Sequence, residues 1–133
     1  MKIIKNSLAR KKIYGLLAII WTLFILVMCL VSFTELPSVG VSSADKYVHA
    51  SFHFVFTILW FLTLDKSGYS RKILTRVFLS SVVFGIAIEI MQGLFTKTRQ
   101  ADIYDVFANI AGALMAVLLL YYSAHVVKMK ADN

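Results

Sequence analysis

The chain has 133 residues, 59% of them hydrophobic, and a mean hydropathy of +0.78. That exceeds the apolar share of a soluble domain, and the length admits a single domain. Its formal charge of +7 sits in short clusters between apolar runs, not in an aromatic-and-basic stripe, which argues against nucleic acid as a partner; Cys29 stands alone in an apolar run, which excludes a disulfide framework and metal-type cysteine spacing.

Taken in chain order, Met1–Lys12 is a basic tail (domain 1–12) ahead of the apolar run Ile13–Phe33. At 1.5 Å per residue that run is about 31 Å long, the thickness of a hydrocarbon core. A cleaved signal would have a shorter apolar region, about 7 to 15 residues, and the small-residue stretch Ser42-Ser43-Ala44 lies too far downstream. The run is therefore expected to be a retained helix. Thr34–Ala44 holds the single Pro, a Gly and three Ser, which is loop chemistry. A second helix is expected over about 46–64, a basic turn containing Gly68 over 65–72, and a third helix over about 73–95. A polar loop, 96–101, leads to a fourth helix over about 102–127, and 128–133 is a short tail. The expected fold is all-α, a bundle of four transmembrane helices spanning 13–127.

The charges orient this bundle. Of the 14 Lys and Arg, Lys2, Lys5, Arg10, Lys11, Lys12, Lys66, Arg71, Lys72, Arg76, Lys128 and Lys130 fall on one side, leaving Lys46, Lys97 and Arg99 on the other. Cytoplasmic segments carry such an excess, so both termini are expected in the cytoplasm. Tyr47 and Tyr104 at one interface, and Trp60, Tyr121 and Tyr122 at the other, would form the aromatic belts.

Threaded this way, the polar residues of the apolar segments collect at one depth, in the extracytoplasmic leaflet. Asp45, His49 and His53 follow at steps of four on one face of the second helix. Glu89 and Gln92 share a face of the third, Arg99 lies in the next loop, and Asp102, Asp105 and Asn109 line the fourth. Each ionisable group in hydrocarbon costs roughly 2.5 to 3.5 kcal/mol on insertion scales, so such a group is read first as functional. Small residues (Ser81, Gly85 and Gly93 on the third helix; Ala108, Gly112 and Ala116 on the fourth) are expected to bring those two helices together.

Each of these residues also has a plainer reading. His49 could be a helix-start residue bonded to Asp45, and His53 a packing histidine. Asp102 suits an N-cap, and Asn109 suits interhelical hydrogen bonding. Glu89 could be a structural partner of Arg99, or a buried acid/base group. Arg99 could grip a phosphate or carboxylate in bidentate fashion, or could pair with the nearby carboxylates. A metal is conceivable on two His, a Glu and two Asp. The basic rim of Lys46 and Arg99 disfavours a cation, however, so neither a metal nor a cofactor is expected.

Asp45-Lys46-Tyr47-Val48-His49, then Glu89-Ile90-Met91-Gln92, Arg99, and Asp102-Ile103-Tyr104-Asp105 running to Asn109-Ile110-Ala111-Gly112 together resemble the VanZ-like family. That family has a DKxxH start to one helix, an ExxQ end to another, and an R-x-x-D-x-x-D-x-x-x-N-x-x-G run. The resemblance implies a small protein of the bacterial cytoplasmic membrane. It also implies a link to low-level glycopeptide (teicoplanin) resistance, without a defined chemical activity.

Three functions are consistent with the residues. In the leading one, Asp45, His49, Glu89, Gln92, Arg99, Asp102, Asp105 and Asn109 bind a membrane-lipid head group, a lipid-linked cell-wall component or a partner. The second is an intramembrane enzyme acting on a lipid-linked phosphate or ester, with His49, Glu89 or Asp105 as catalytic candidates and Arg99 as anion clamp. A proton-coupled transporter is the third; at this length it would require a homo-oligomer.

Overall fold

A computed structural model describes residues 2–31, 44–66, 68–96 and 101–131. They form four helices: α1 (Lys2–Leu30), α2 (Ala44–Leu64), α3 (Arg71–Phe95) and α4 (Ile103–Ala131). No strand occurs among the described residues. Each helix contains a stretch long and apolar enough to cross a membrane, the most apolar being Ala9–Leu30. The 22 residues of that stretch measure about 33 Å along the axis. The protein is a multi-pass membrane protein.

Helix bounds differ from the sequence expectation mainly at the ends. The basic segment expected as a tail continues α1 back to Lys2, and α4 runs on to Ala131, since Lys and Arg are good helix formers and hydropathy marks the membrane boundary, not the helix end. α3 starts at Arg71 because Ser70 caps it, its side chain accepting from the Ile73 amide. The turn before it needs Gly68, whose φ of +91° disfavours any residue with a Cβ. Most of the two loops expected over 34–44 and 96–101 lies outside the described residues.

Successive helices run antiparallel, which gathers the end of α1, the start of α2, the end of α3 and the start of α4 at one end of the bundle. Bonds between helices tie that end together. Lys46 on α2 reaches Asp102 at 2.9 Å, and the Gln92 side chain on α3 donates to the Cys29 carbonyl of α1 at 2.9 Å. At the opposite end Gly15 lies against Thr63, and Tyr69 against Tyr121. The first and last described residues share this second end.

α1 is held by a cluster of Ile25, Cys29, Phe56 and Ile88, with Trp21, Phe52, Trp60 and Phe84 packed around it. Two indoles fasten it further. Trp21 Nε1 donates to the Phe52 carbonyl at 3.0 Å, and Trp60 Nε1 donates to the Thr22 hydroxyl at 3.1 Å. Trp60 therefore serves the α1–α2 contact and is turned inward, whereas Tyr47, Tyr104, Tyr121 and Tyr122 are exposed as interfacial residues would be.

The closest helix pair is α2 with α4, not α3 with α4. A Cβ built on Gly112 would lie 2.8 Å from the Ala50 Cα and 2.7 Å from its carbonyl carbon, so this glycine packs against the backbone of α2. The small residues of α3 have partners on both neighbouring helices: Ser81 bonds His53 of α2, Gly85 abuts His53 and Asn109 of α4, and Gly93 abuts Ala101 just ahead of α4. The short third loop does make α3 and α4 antiparallel neighbours, as expected. Loop length does not fix which helix fills the groove over Gly112, and Ala50, small and placed between His49 and His53, leaves α2 room to do so.

Candidate functional site

The polar end of the bundle is built on a floor of buried side chains. His49, Glu89, Asp105, Asn109 and Gln92 are each no more than 5% exposed. Asp45, Lys46 and Asp102 form a rim, with side chains 47%, 36% and 38% exposed. Helical spacing explains the convergence: steps of four put Asp45 and His49 on one face of α2, and Asp105 and Asn109 share a face of α4.

His49 stands at the centre. Its Nδ1 lies 3.3 Å from Asn109 Oδ1 and 3.8 Å from Glu89 Oε1. Its Nε2 lies 3.9 Å from Asp45 Oδ1 and 3.8 Å from Asp105 Oδ2. The plain expectation of a hydrogen bond to Asp45 is thus replaced by a closer partner on α4. Asp45, His49 and Asp105 each bring one ligand-capable atom to within 4.8 Å of the other two.

Lys46 bridges two carboxylates, at 2.9 Å to Asp102 Oδ2 and 3.1 Å to Asp105 Oδ1. Asp102 has a second task as the N-cap of α4, accepting from the Tyr104 amide at 2.8 Å. The ammonium of Lys46 first, and that amide next, hold the Asp102 carboxyl below the usual carboxylate range. Its own backbone N–H donates to Glu89 Oε2 at 3.1 Å, so Glu89 anchors the start of α4. Glu89 Oε1 and Asn109 Nδ2 have no hydrogen-bond partner among the described residues.

Some expected site residues do not join this centre directly. Gln92 ties α3 to α1 through the Cys29 carbonyl. His53 is 1% exposed, shares a 2.8 Å hydrogen bond with Ser81 and packs against Phe56 and Phe84, the satisfied packing histidine of the plainer reading. Arg99, the expected anion clamp and partner of Glu89, lies outside the described residues. Lys46, by contrast, was expected only as part of a basic rim and is in fact the hinge between the two aspartates. Its place in the Asp45–His49 segment, facing the acidic start of α4, was the available signal.

With four helices and this constellation in the expected order, the comparison with known proteins is decisive. Residues 13–125 match the VanZ/LLP1 family. The chain belongs to that family. The match includes the whole polar site, so the VanZ/LLP1 assignment covers the residues on which the resemblance rested. An uncharacterised protein of Schizosaccharomyces pombe is 28% identical over 99 residues, which is 73% of this chain and 60% of the yeast protein. The chain thus spans about three-fifths of that relative's length. No solved structure matches it.

Proposed function

We propose that this VanZ/LLP1 protein resides in the bacterial cytoplasmic membrane with both termini in the cytoplasm. Its polar site would face the extracytoplasmic leaflet and bind the head group of a lipid or a lipid-linked cell-wall component. A change in glycopeptide (teicoplanin) tolerance would follow indirectly, through the supply or exposure of that component. One observation carries the reading: a half-exposed charged rim over a buried polar floor at one end of the four-helix bundle. Scaffold polarity in a membrane needs only pairs of partners, whereas here His49 faces Asp45, Glu89, Asp105 and Asn109 together. Carboxylates outnumber the described cations, so the floor suits hydroxyl or ammonium donors of a head group, and Arg99 is proposed to take its phosphate.

A second reading is favoured by the unpartnered Glu89 Oε1 beside His49 Nδ1. In it, one of the two moves a proton on a bound lipid-linked phosphate or ester. Lipid-resolved mass spectrometry of the purified protein tests both. Wild type should retain a head-group class that Asp105→Asn and His49→Asn lose at unchanged membrane abundance. Retention of the same lipids by all three proteins would refute head-group binding. Conversion of the retained lipid by wild type, absent in Glu89→Gln, would select the enzyme. In a sensitive host the three variants should also lose any teicoplanin tolerance that wild type confers.

A further inference from the structure

We infer that Asp45, His49 and Asp105 form a divalent-cation site of the zinc type, with one imidazole nitrogen, two carboxylate oxygens and a fourth position open. The inference does not depend on which head group the protein binds. The three donor atoms lie within 4.8 Å of one another, with His49 Nε2 at 3.9 and 3.8 Å from the two carboxylates. Zinc bonds of about 2.0 to 2.2 Å at tetrahedral angles separate ligand atoms by about 3.4 Å. Loading therefore asks each of those two contacts to close by about 0.5 Å, and the two carboxylates, within 4.8 Å, to approach by up to about 1.4 Å.

Orientation supports the site as strongly as proximity. His49 turns Nδ1 toward Asn109 Oδ1 at 3.3 Å, its one contact of hydrogen-bond length, and the tautomer with the proton on Nδ1 makes that bond. Nε2 then points its lone pair at two carboxylates, which are acceptor-only when ionised. A cation placed between them would meet all three donor atoms. The arrangement on the far side of the ring is the one metal-bound histidines use, the second nitrogen held by a carboxylate or carbonyl that fixes the tautomer. Lys46 does the corresponding work for Asp105: it holds Oδ1 at 3.1 Å and leaves Oδ2 facing Nε2.

A separate observation points the same way. Glu89 is 4% exposed, and its Oε1 has no hydrogen-bond partner among the described residues while lying 3.8 Å from His49 Nδ1. A cation on Nε2 would make the Nδ1–H group a stronger donor toward the side of the ring where that oxygen lies. Lys46 belongs to the basic rim expected to disfavour a cation, but its charge is already paired. Its ammonium is engaged by Asp102 Oδ2 and Asp105 Oδ1, and Asp105 Oδ2 is left on the His49 side.

The test uses the tag-free full chain in detergent, stripped with chelator, exposed to zinc and desalted. Elemental analysis should find about one zinc per chain, and zinc should raise the thermal unfolding midpoint. Asp45→Asn changes a half-exposed rim residue and should leave the fold intact while lowering zinc affinity at least tenfold. His49→Gln should abolish uptake, whereas His125→Gln, at the opposite end of the bundle, should retain it. Should the His49 variant fail to fold, the Asp45 variant decides the matter. Absence of retained zinc in wild type would overturn the site. Zinc retained equally by wild type and Asp45→Asn would overturn it as well.

Discussion

Substituting Gly112 by alanine is the most direct probe of how this bundle is held. The added Cβ would meet the Ala50 carbonyl oxygen in hard overlap, with the carbonyl carbon at 2.7 Å and Cα at 2.8 Å. All three are backbone atoms, so no side chain can rotate away; α2 and α4 must separate. Overpacking costs about 1 to 3 kcal/mol, and a rigid backbone obstacle puts this case at the top of the range. Alanine's better helix propensity returns about 1 kcal/mol, leaving a net loss of about 2 kcal/mol. Gly15→Ala is the matched control, because its Cβ would be 3.4 Å from the Thr63 methyl; it should be neutral or stabilising by up to about 1 kcal/mol. Denaturant titration of both variants in mixed micelles, followed by tryptophan fluorescence, measures the difference. The separation should also reach the polar site, since Asn109 lies one helical turn before Gly112 and His49 adjoins Ala50. Gly112→Ala at least as stable as Gly15→Ala would refute the close α2–α4 contact.

Two further outcomes follow from charge. If the basic end of the bundle is cytoplasmic, an impermeant thiol reagent on intact cells carrying the Cys29→Ser background should label Ala101→Cys and leave Lys66→Cys unlabelled; the reverse pattern would invert the proposed topology. The Lys46–Asp102 pair should appear in the acid limb of stability. Asp102 has a carboxyl held below its unfolded value, near 3.9, so its contribution is complete above that pH and is lost as pH falls through the lower folded value. Asp102→Asn keeps the cap on the Tyr104 amide, since Asn caps as well as Asp, and removes the charge. Its thermal midpoint should therefore fall less steeply than wild type's below about pH 4, and superimposable acid limbs would show that the ion pair contributes nothing.

Much of this protein was legible in its sequence because the bilayer imposes strong rules on composition. Four apolar runs of membrane length require four helices, since every backbone group must be satisfied within its own segment. Polar residues at steps of three and four inside such runs have to share a helix face, which is how Asp45 with His49 and Asp105 with Asn109 could be paired in advance. Asp102 could be recognised as a cap from its position at the head of the fourth run. What the sequence did not determine is how the faces meet. Small residues on α4 announce a close contact but not its partner, and packing chose Ala50 of α2 over the small face of α3. Likewise Lys46 reads as an isolated charge on a rim, and only the antiparallel approach of α2 and α4 places it between Asp102 and Asp105. The two nitrogens of His49 are equivalent in sequence. Tertiary structure sets one against Asn109 and Glu89 and the other against Asp45 and Asp105, because side-chain direction depends on helix rotation and crossing, which arise from long-range packing and not from local periodicity.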